Sequence, residues 1–140
     1  MPIELPTRFR VTAAACALAA AGAVLPAAHA SDDIKSKPVQ FARGTSSAIL
    51  KGSIKGGETV DHVFRAQAGQ TMTVHFKSGN RSAYFNVLPP GSSGEALFVG
   101  STSGDDWTGA LPTDGEYRVR VYLMRSAARR NETANYTLTV

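Results

Sequence analysis

The sequence predicts an all-β protein, a single-domain antiparallel β-sandwich of about eight short strands. Three observations lead to this fold class. Apolar and polar residues alternate over short runs, most clearly at residues 71–77, and a period of two is typical of a half-buried strand. Turns rich in Gly, Pro, Ser and Asp separate these runs at short intervals. After residue 30 no helical period extends over a useful length.

The N-terminal thirty residues have the pattern of a secretory signal peptide. Arg8 and Arg10 precede an apolar run over residues 11–25, and the small-x-small triplet at residues 28–30 follows. The run is shorter than the roughly 20 residues of a membrane span, so we expect no span. Cys16, the only cysteine, lies inside the run. We therefore expect residues 1–30 to be cleaved from an exported, periplasmic protein.

The remaining chain, residues 31–140, is long enough to form one hydrophobic core. It has no cysteine, so an exported domain of this size must be stable without a disulfide. Residues 31–38 are polar and charged, and we expect them to form a flexible leader. Residues 39–140 are expected to form the β-sandwich domain.

The strands are predicted at residues 39–41, 48–54, 59–66, 71–77, 82–88, 96–99, 116–124 and 135–140. The third and fourth form a hairpin, because a short turn containing Gly69 joins them. Residues 100–109 are rich in Ser, Gly and Asp and are expected to form a loop, which contains the only tryptophan, Trp107. Residues 125–133 are expected to hold a helical turn or a long loop.

The charge of the chain is mildly basic but unevenly distributed. The signal contains two arginines and one glutamate, which leaves thirteen basic and ten acidic side chains and a net charge of +3. Five arginines fall within thirteen residues with no acid among them: Arg118, Arg120, Arg125, Arg129 and Arg130. Such a cluster favours an acidic partner surface, although a solvated edge would look the same. The low net charge of an exported protein argues against a nucleic-acid partner.

No residues show the spacing of a catalytic or metal site. His62 and His75 are the only histidines after the signal, and no cysteine or suitably spaced carboxylate accompanies them. The acids Asp105, Asp106 and Asp114 lie in Gly-rich segments but lack EF-hand spacing. No serine lies in a G-x-S-x-G elbow. We therefore predict a protein that is not an enzyme and that needs no cofactor.

Several segments, taken in order, resemble the periplasmic inhibitors of g-type (goose-type) lysozyme. These segments are Phe41-x-x-Gly44-x-Ser46-Ser47-Ala48, Gly52-x-Ile54-Lys55-Gly56, Phe64-x-Ala66-x-x-Gly69-Gln70, Pro90-Gly91, Gly115-x-Tyr117-x-x-Arg120-Val121, Arg125-x-x-Ala128-Arg129-x-Asn131-x-Thr133 and Tyr136. The likeness extends from about residue 41 to residue 136 and is weakest over residues 80–111. Each segment alone is weak, and their order and spacing carry the resemblance.

The resemblance implies a β-sandwich that blocks a muramidase by placing loops in its substrate cleft, with g-type lysozyme as the protein partner. It points to Arg125 and Arg129 as the inserted basic residues, with Arg130 beside them. Tyr117 and Gly115 match the Gly-x-Tyr segment, although Val119 and Val121 continue the face of Tyr117 and favour a core aromatic. We expect a monomer or a weak dimer.

One position departs from the family pattern. The family has an aromatic residue after Ile54-Lys55-Gly56, whereas this chain has Gly57. If that aromatic contributes to binding, this protein binds more weakly or prefers another target enzyme.

Two other interpretations stay open at the level of sequence. The Gly-x-Tyr strand also resembles the β-sandwich domains that follow secreted peptidases, which would bind glycan or calcium. In that case Trp107, beside Asp105 and Asp106, is the candidate sugar platform. A structural envelope protein with no specific ligand is the third interpretation.

Overall fold

The structure is a computed structural model and describes residues 34–140. The predicted signal peptide, residues 1–30, lies outside this part of the chain. The described residues form nine strands and two short helices. They are β1 Ile34–Pro38, β2 Ile49–Lys55, β3 Thr59–Ala66, β4 Thr71–Ser78, β5 Ala83–Leu88, β6 Phe98–Val99, α1 Gly100–Ser103, β7 Asp106–Ala110, β8 Gly115–Leu123, α2 Arg125–Arg129 and β9 Thr133–Thr139.

Two sheets pack face to face, which confirms the predicted β-sandwich. The first sheet has five strands in the order β1-β3-β8-β5-β6, and the second has four in the order β2-β9-β4-β7. All pairs are antiparallel except β1 with β3, which is parallel. The first sheet is therefore mixed, where the sequence predicted antiparallel pairing throughout.

The core lies between the sheets and is built from the alternating residues that the sequence placed inward. Along β8, Tyr117, Val119 and Val121 are fully buried, while the arginines between them lie on the outer face. From the opposite sheet, Phe76 of β4 meets Phe85 of β5 with ring centroids 5.7 Å apart. Continuous burial of this apolar surface supplies most of the stability of a domain without disulfides.

Three local predictions are corrected. Residues 34–38, expected to belong to a flexible leader, form β1. Residues 39–41, predicted as the first strand, follow β1 and are not part of a strand. β1 carries no buried residue, so its pairing with β3 leaves no pattern in the sequence. Residues 100–109 contain α1 and most of β7 instead of a continuous loop. The helical turn expected after β8 is present as α2.

No helix within residues 34–140 is both long enough and apolar enough to cross a membrane.

Candidate functional site

The predicted site residues lie at two opposite ends of the sandwich. Gly115 is the first residue of β8, and Arg125 follows the last. The nine residues of β8 span roughly 27 Å between these two ends. The structure thus brings Arg125, Arg129 and Arg130 together but separates them from Gly115 and from the hydroxyl end of Tyr117.

Tyr117 is a core residue. Its ring is fully buried and stacks on Phe64 with ring centroids 5.9 Å apart. Its hydroxyl donates to the Thr113 carbonyl at 2.6 Å and accepts from the Thr113 amide at 3.2 Å. A tyrosine near the start of a strand that bonds to backbone a few residues upstream is a recurring corner device of β-sandwiches. Tyr117 therefore offers no surface to a partner, which corrects its assignment as a partner-binding residue.

Gly115 also has a local structural role. Its φ of 143° is unfavourable for other residues, and a side chain there would meet the Pro90 ring at about 3 Å. The glycine lets the chain turn into β8 beside Pro90. The Gly-x-Tyr segment therefore has a structural role, because its glycine forms the turn and its tyrosine forms the corner. Both lie at the end of the sandwich away from Arg125.

The helix α2 carries the exposed basic residues. Ala127, fully buried, anchors the helix to the core, and the Ala128 amide donates to the Met124 carbonyl at 2.9 Å. Arg125 and Arg129 are exposed and four residues apart, so they lie on one face of this turn. Within residues 34–140 neither guanidinium forms an ion pair. Both are therefore available to a carboxylate from outside.

The turn after α2 is fixed by backbone contacts. Asn131 has a φ of 57°, a left-handed conformation that asparagine tolerates better than most residues. The Asn131 amide donates to the Ala128 carbonyl at 3.0 Å, and the Glu132 amide donates to the Ala127 carbonyl at 3.1 Å. The Gly56 amide, in the β2–β3 turn, donates to the Glu132 carbonyl at 2.9 Å. These bonds tie α2 to the neighbouring turn.

Glu132 connects three segments around this turn. Its carboxylate accepts from Arg130 Nε at 2.7 Å and from Asn80 Nδ2, in the β4–β5 turn, at 3.1 Å. Asn80 Oδ1 in turn accepts from the Ser82 amide at 2.9 Å. The hydrogen bond from Arg130, followed by that from Asn80, lowers the pKa of Glu132. Arg130 is therefore already paired, unlike Arg125 and Arg129.

A groove of about 440 Å³ runs beside Arg125 along the outer face of the five-stranded sheet. Gly57, Tyr122 and Met124 line it, and Met124 is 40% exposed. The structure thus places Gly57, where the family pattern has an aromatic, next to Arg125. An aromatic side chain at position 57 would lie beside the same groove as Arg125.

The other two arginines of the cluster lie on the outer face of β8 and pair with Asp61. Arg120 donates to buried Asp61 through Nε at 2.7 Å and Nη2 at 2.9 Å, and this hydrogen bonding raises the pKa of Arg120. Arg118 approaches the same carboxylate at 3.7 Å. The five clustered arginines therefore divide into two that hold Asp61, one that holds Glu132, and the exposed pair Arg125 and Arg129.

The residues considered for metal or sugar binding do not assemble a site. No group of three or more His, Cys, Asp or Glu side chains within residues 34–140 is placed to hold a metal ion. His75 pairs with Asp106, whereas His62 lies in the core. Trp107 is half-buried and packs against the core, with its ring 6.1 Å from that of Phe98.

No family model matches the chain, but individual proteins do. It is 32% identical over 108 residues to the inhibitor of g-type lysozyme from Escherichia coli K12, which covers 76% of this chain and 80% of the relative. The chain belongs to the g-type lysozyme inhibitor family. The crystal structure of PliG, the family's periplasmic inhibitor from Aeromonas hydrophila, is 44% identical with a TM-score of 0.71, over 76% of this chain and 94% of that one.

Two further solved structures extend the comparison. Salmonella Typhimurium PliG, a periplasmic inhibitor of g-type lysozyme, is 29% identical with a TM-score of 0.57, over 75% of this chain and 95% of that one. A pre-peptidase C-terminal domain of a Bacillus anthracis collagenase is 14% identical with a TM-score of 0.53, over 77% of this chain and 95% of that domain. This last likeness shows a shared fold alone, which explains why the sequence also resembles peptidase-appended domains.

For this member of the inhibitor family, sequence reasoning missed the residues that hold the basic turn. Glu132, Asn80 and Asp61 determine which arginines are already paired. Only Asn131, an asparagine directly after a short helix, carries a local signal for the left-handed turn. The other contacts join residues distant in sequence.

Proposed function

We propose that this periplasmic protein inhibits g-type lysozyme by placing Arg125 and Arg129 in the substrate cleft of the enzyme. The observation that carries the proposal is the exposed pair of guanidinium groups, free of ion pairs within residues 34–140. They lie on a turn that is held by the β2–β3 and β4–β5 turns. The family membership supplies the enzyme class. Because these contacts already order the turn, binding would cost less conformational entropy.

The chemistry of the target fits these side chains. Lysozymes cleave glycan with a carboxylic acid in the cleft. A guanidinium offers donors in a planar fork that matches a carboxylate in a bidentate way. Two such groups on one face of α2 would occupy the cleft and pair with its acidic residues, so that glycan cannot enter.

The test is a cell-wall lysis assay in which residues 31–140 are titrated against goose-type and chicken-type lysozymes. We expect selective inhibition of the goose-type enzyme near stoichiometry. The variant R125A/R129A should lose on the order of thirtyfold or more in affinity, as for a central interface contact. The control R43A/R65A removes two exposed arginines elsewhere and should inhibit normally. Equal inhibition by both variants would refute the role of the α2 arginines.

A gain of affinity provides a second test. Gly57 is exposed beside the Arg125 groove, so Gly57→Tyr should add an aromatic contact and tighten binding roughly tenfold. Gly94→Tyr is the control, because Gly94 lies in open space in the β5–β6 loop. If Gly57→Tyr leaves inhibition unchanged, like the Gly94→Tyr control, the partner does not approach this groove.

A further inference from the structure

The outer face of the four-stranded sheet is rich in hydroxyl groups. Its outward positions alternate with buried or half-buried residues along every strand. Those with a hydroxyl or amide are Ser53, Thr71, Thr73, Thr108, Thr133, Asn135, Thr137 and Thr139. We call this surface the lysine–threonine face, because three lysines also lie on it: Lys51, Lys55 and Lys77.

The three lysines are exposed, and none forms an ion pair with any residue between 34 and 140. The acid among the outward strand positions is Asp106, on the edge strand β7, and it is held by His75. The interior of the face therefore has an uncompensated positive charge. The outer face of the other sheet differs, because there Arg118 and Arg120 converge on Asp61.

Lys51 and Lys77 stand in one row across the sheet. Both are paired in register with Thr137 of the strand between them, so their Cα atoms are two strand spacings, roughly 10 Å, apart. Between them lies a shallow depression of about 380 Å³, lined also by Asn135. Two ammonium groups thus flank a floor in which the polar side chains of Ser78, Asn135 and Thr137 lie beside two glycines.

We propose that the lysine–threonine face binds peptidoglycan, the amino-sugar polymer with carboxylate-bearing peptides on which lysozymes act. Free ammonium groups match the carboxylates, and threonine and asparagine side chains donate to and accept from sugar hydroxyls and peptide amides. A flat, open sheet face suits an extended polymer. A lipid surface would favour apolar side chains that insert into it, and Ile49 is the one large apolar residue exposed on this face.

The binding itself does not depend on the proposed inhibitory function, but its consequence does. The face covers the side of the sandwich, whereas Arg125 and Arg129 lie beyond the end of β8. The inhibitor could therefore stay attached to the wall while α2 remains exposed. Attachment would raise the local concentration of inhibitor where the enzyme works.

The experiment is co-sedimentation of residues 31–140 with purified peptidoglycan sacculi at two salt concentrations. The wild-type protein should sediment at low salt and less at high salt. In K51E/K77E the apparent Kd should rise on the order of tenfold, and in K51Q/K77Q by less. The control R43E/R65E makes the same change of net charge at exposed positions elsewhere and should sediment like the wild type. Equal loss in control and test variants, or no sedimentation of the wild type, would overturn the proposal.

Two further measurements distinguish this proposal from two alternatives, a contact with the enzyme and binding to a lipid surface. Inhibition of goose-type lysozyme on a soluble chito-oligosaccharide should be unchanged in K51E/K77E, since that assay tests only the α2 end. Loss of inhibition there would mean that the face belongs to the enzyme interface, which would overturn the proposal. Stronger binding to anionic phospholipid vesicles than to sacculi would also overturn it.

Discussion

At the scale of single residues, two buried tyrosines keep their hydroxyl groups satisfied. Tyr117 bonds to Thr113 near one end of the sandwich, and Tyr136 bonds to His62 between the sheets at 2.9 Å. Burial raises the pKa of Tyr136 to about 12. No buried side-chain polar atom within residues 34–140 lacks a hydrogen-bond partner, which is typical of a core that specifies one packing.

Tyr117→Phe is expected to weaken folding without weakening inhibition. The change removes the bonds to exposed Thr113 while preserving the buried ring, so the free energy of unfolding should fall by about 1 kcal/mol. Urea denaturation measures the stability, and titration against goose-type lysozyme measures the inhibition. Normal stability combined with lost inhibition would restore a partner-binding role for this tyrosine.

His62 should make stability depend on pH. Burial, followed by the charge of Lys37, lowers its pKa from 6.5 to about 4. The unfolded chain therefore binds a proton between these values that the folded protein does not. The contribution of His62 to the free energy of unfolding is fully present above pH 6.5. It is lost as the pH falls toward 4, which lowers the free energy of unfolding by roughly 3 kcal/mol.

The measurement is urea denaturation between pH 7 and pH 4, for the wild type and for His62→Gln. The variant removes the titrating group, so its stability should fall less steeply over this range whatever its value at pH 7. Parallel curves for the two proteins would contradict the assignment of the lowered pKa to His62.

At the scale of elements, α2 is too short to be stable by itself. It is held by the burial of Ala127 and by the contacts of Glu132 with Arg130, Asn80 and the Gly56 amide. Contacts with the core and with neighbouring turns thus hold α2 in place, and several of them pass through the half-buried carboxylate of Glu132.

Glu132→Ala should loosen α2 without unfolding the domain. Amide exchange in residues 125–132 should become faster, and inhibition should weaken, while the thermal midpoint changes little. Glu116→Ala is the matched control, because this carboxylate is exposed on β8 near the opposite end. Unchanged exchange in α2 would show that the Ala127 anchor suffices to hold the turn.

At the scale of the whole molecule, β1 closes one edge of the five-stranded sheet. It pairs in parallel with all of the first five residues of β3. The backbone bond from the Val39 amide to the Val63 carbonyl, at 2.8 Å, continues the same ladder. Without β1 the edge of β3 would be open to water and to other chains.

Deletion of residues 31–38 is therefore expected to lower the free energy of unfolding by about 1 to 3 kcal/mol, through the lost ladder bonds. Deletion of residues 31–33 alone is the control and should preserve stability. Chemical denaturation gives both values. If the longer deletion had no effect, residues 34–38 would act as the flexible leader that their composition predicts.

The sequence by itself determined the fold class, the inward faces of the long strands and the helical turn after β8. These follow from short-range patterns, because a period of two places alternate residues such as Tyr117, Val119 and Val121 on one buried face. It also indicated the family, since the order of its segments is a property of the sequence. The role of Arg125 and Arg129 in inhibition also comes from the resemblance to this family, and it is a proposal.

Only the tertiary structure decided which charges are paired and which edges are covered. Asp61 lies opposite Arg120 because β3 and β8 are neighbours, and Glu132 meets Asn80 because two distant turns share one end of the sandwich. β1 is an exposed strand whose partner alone defines it. Such contacts join residues that are far apart in the chain, so no local pattern in the sequence predicts them.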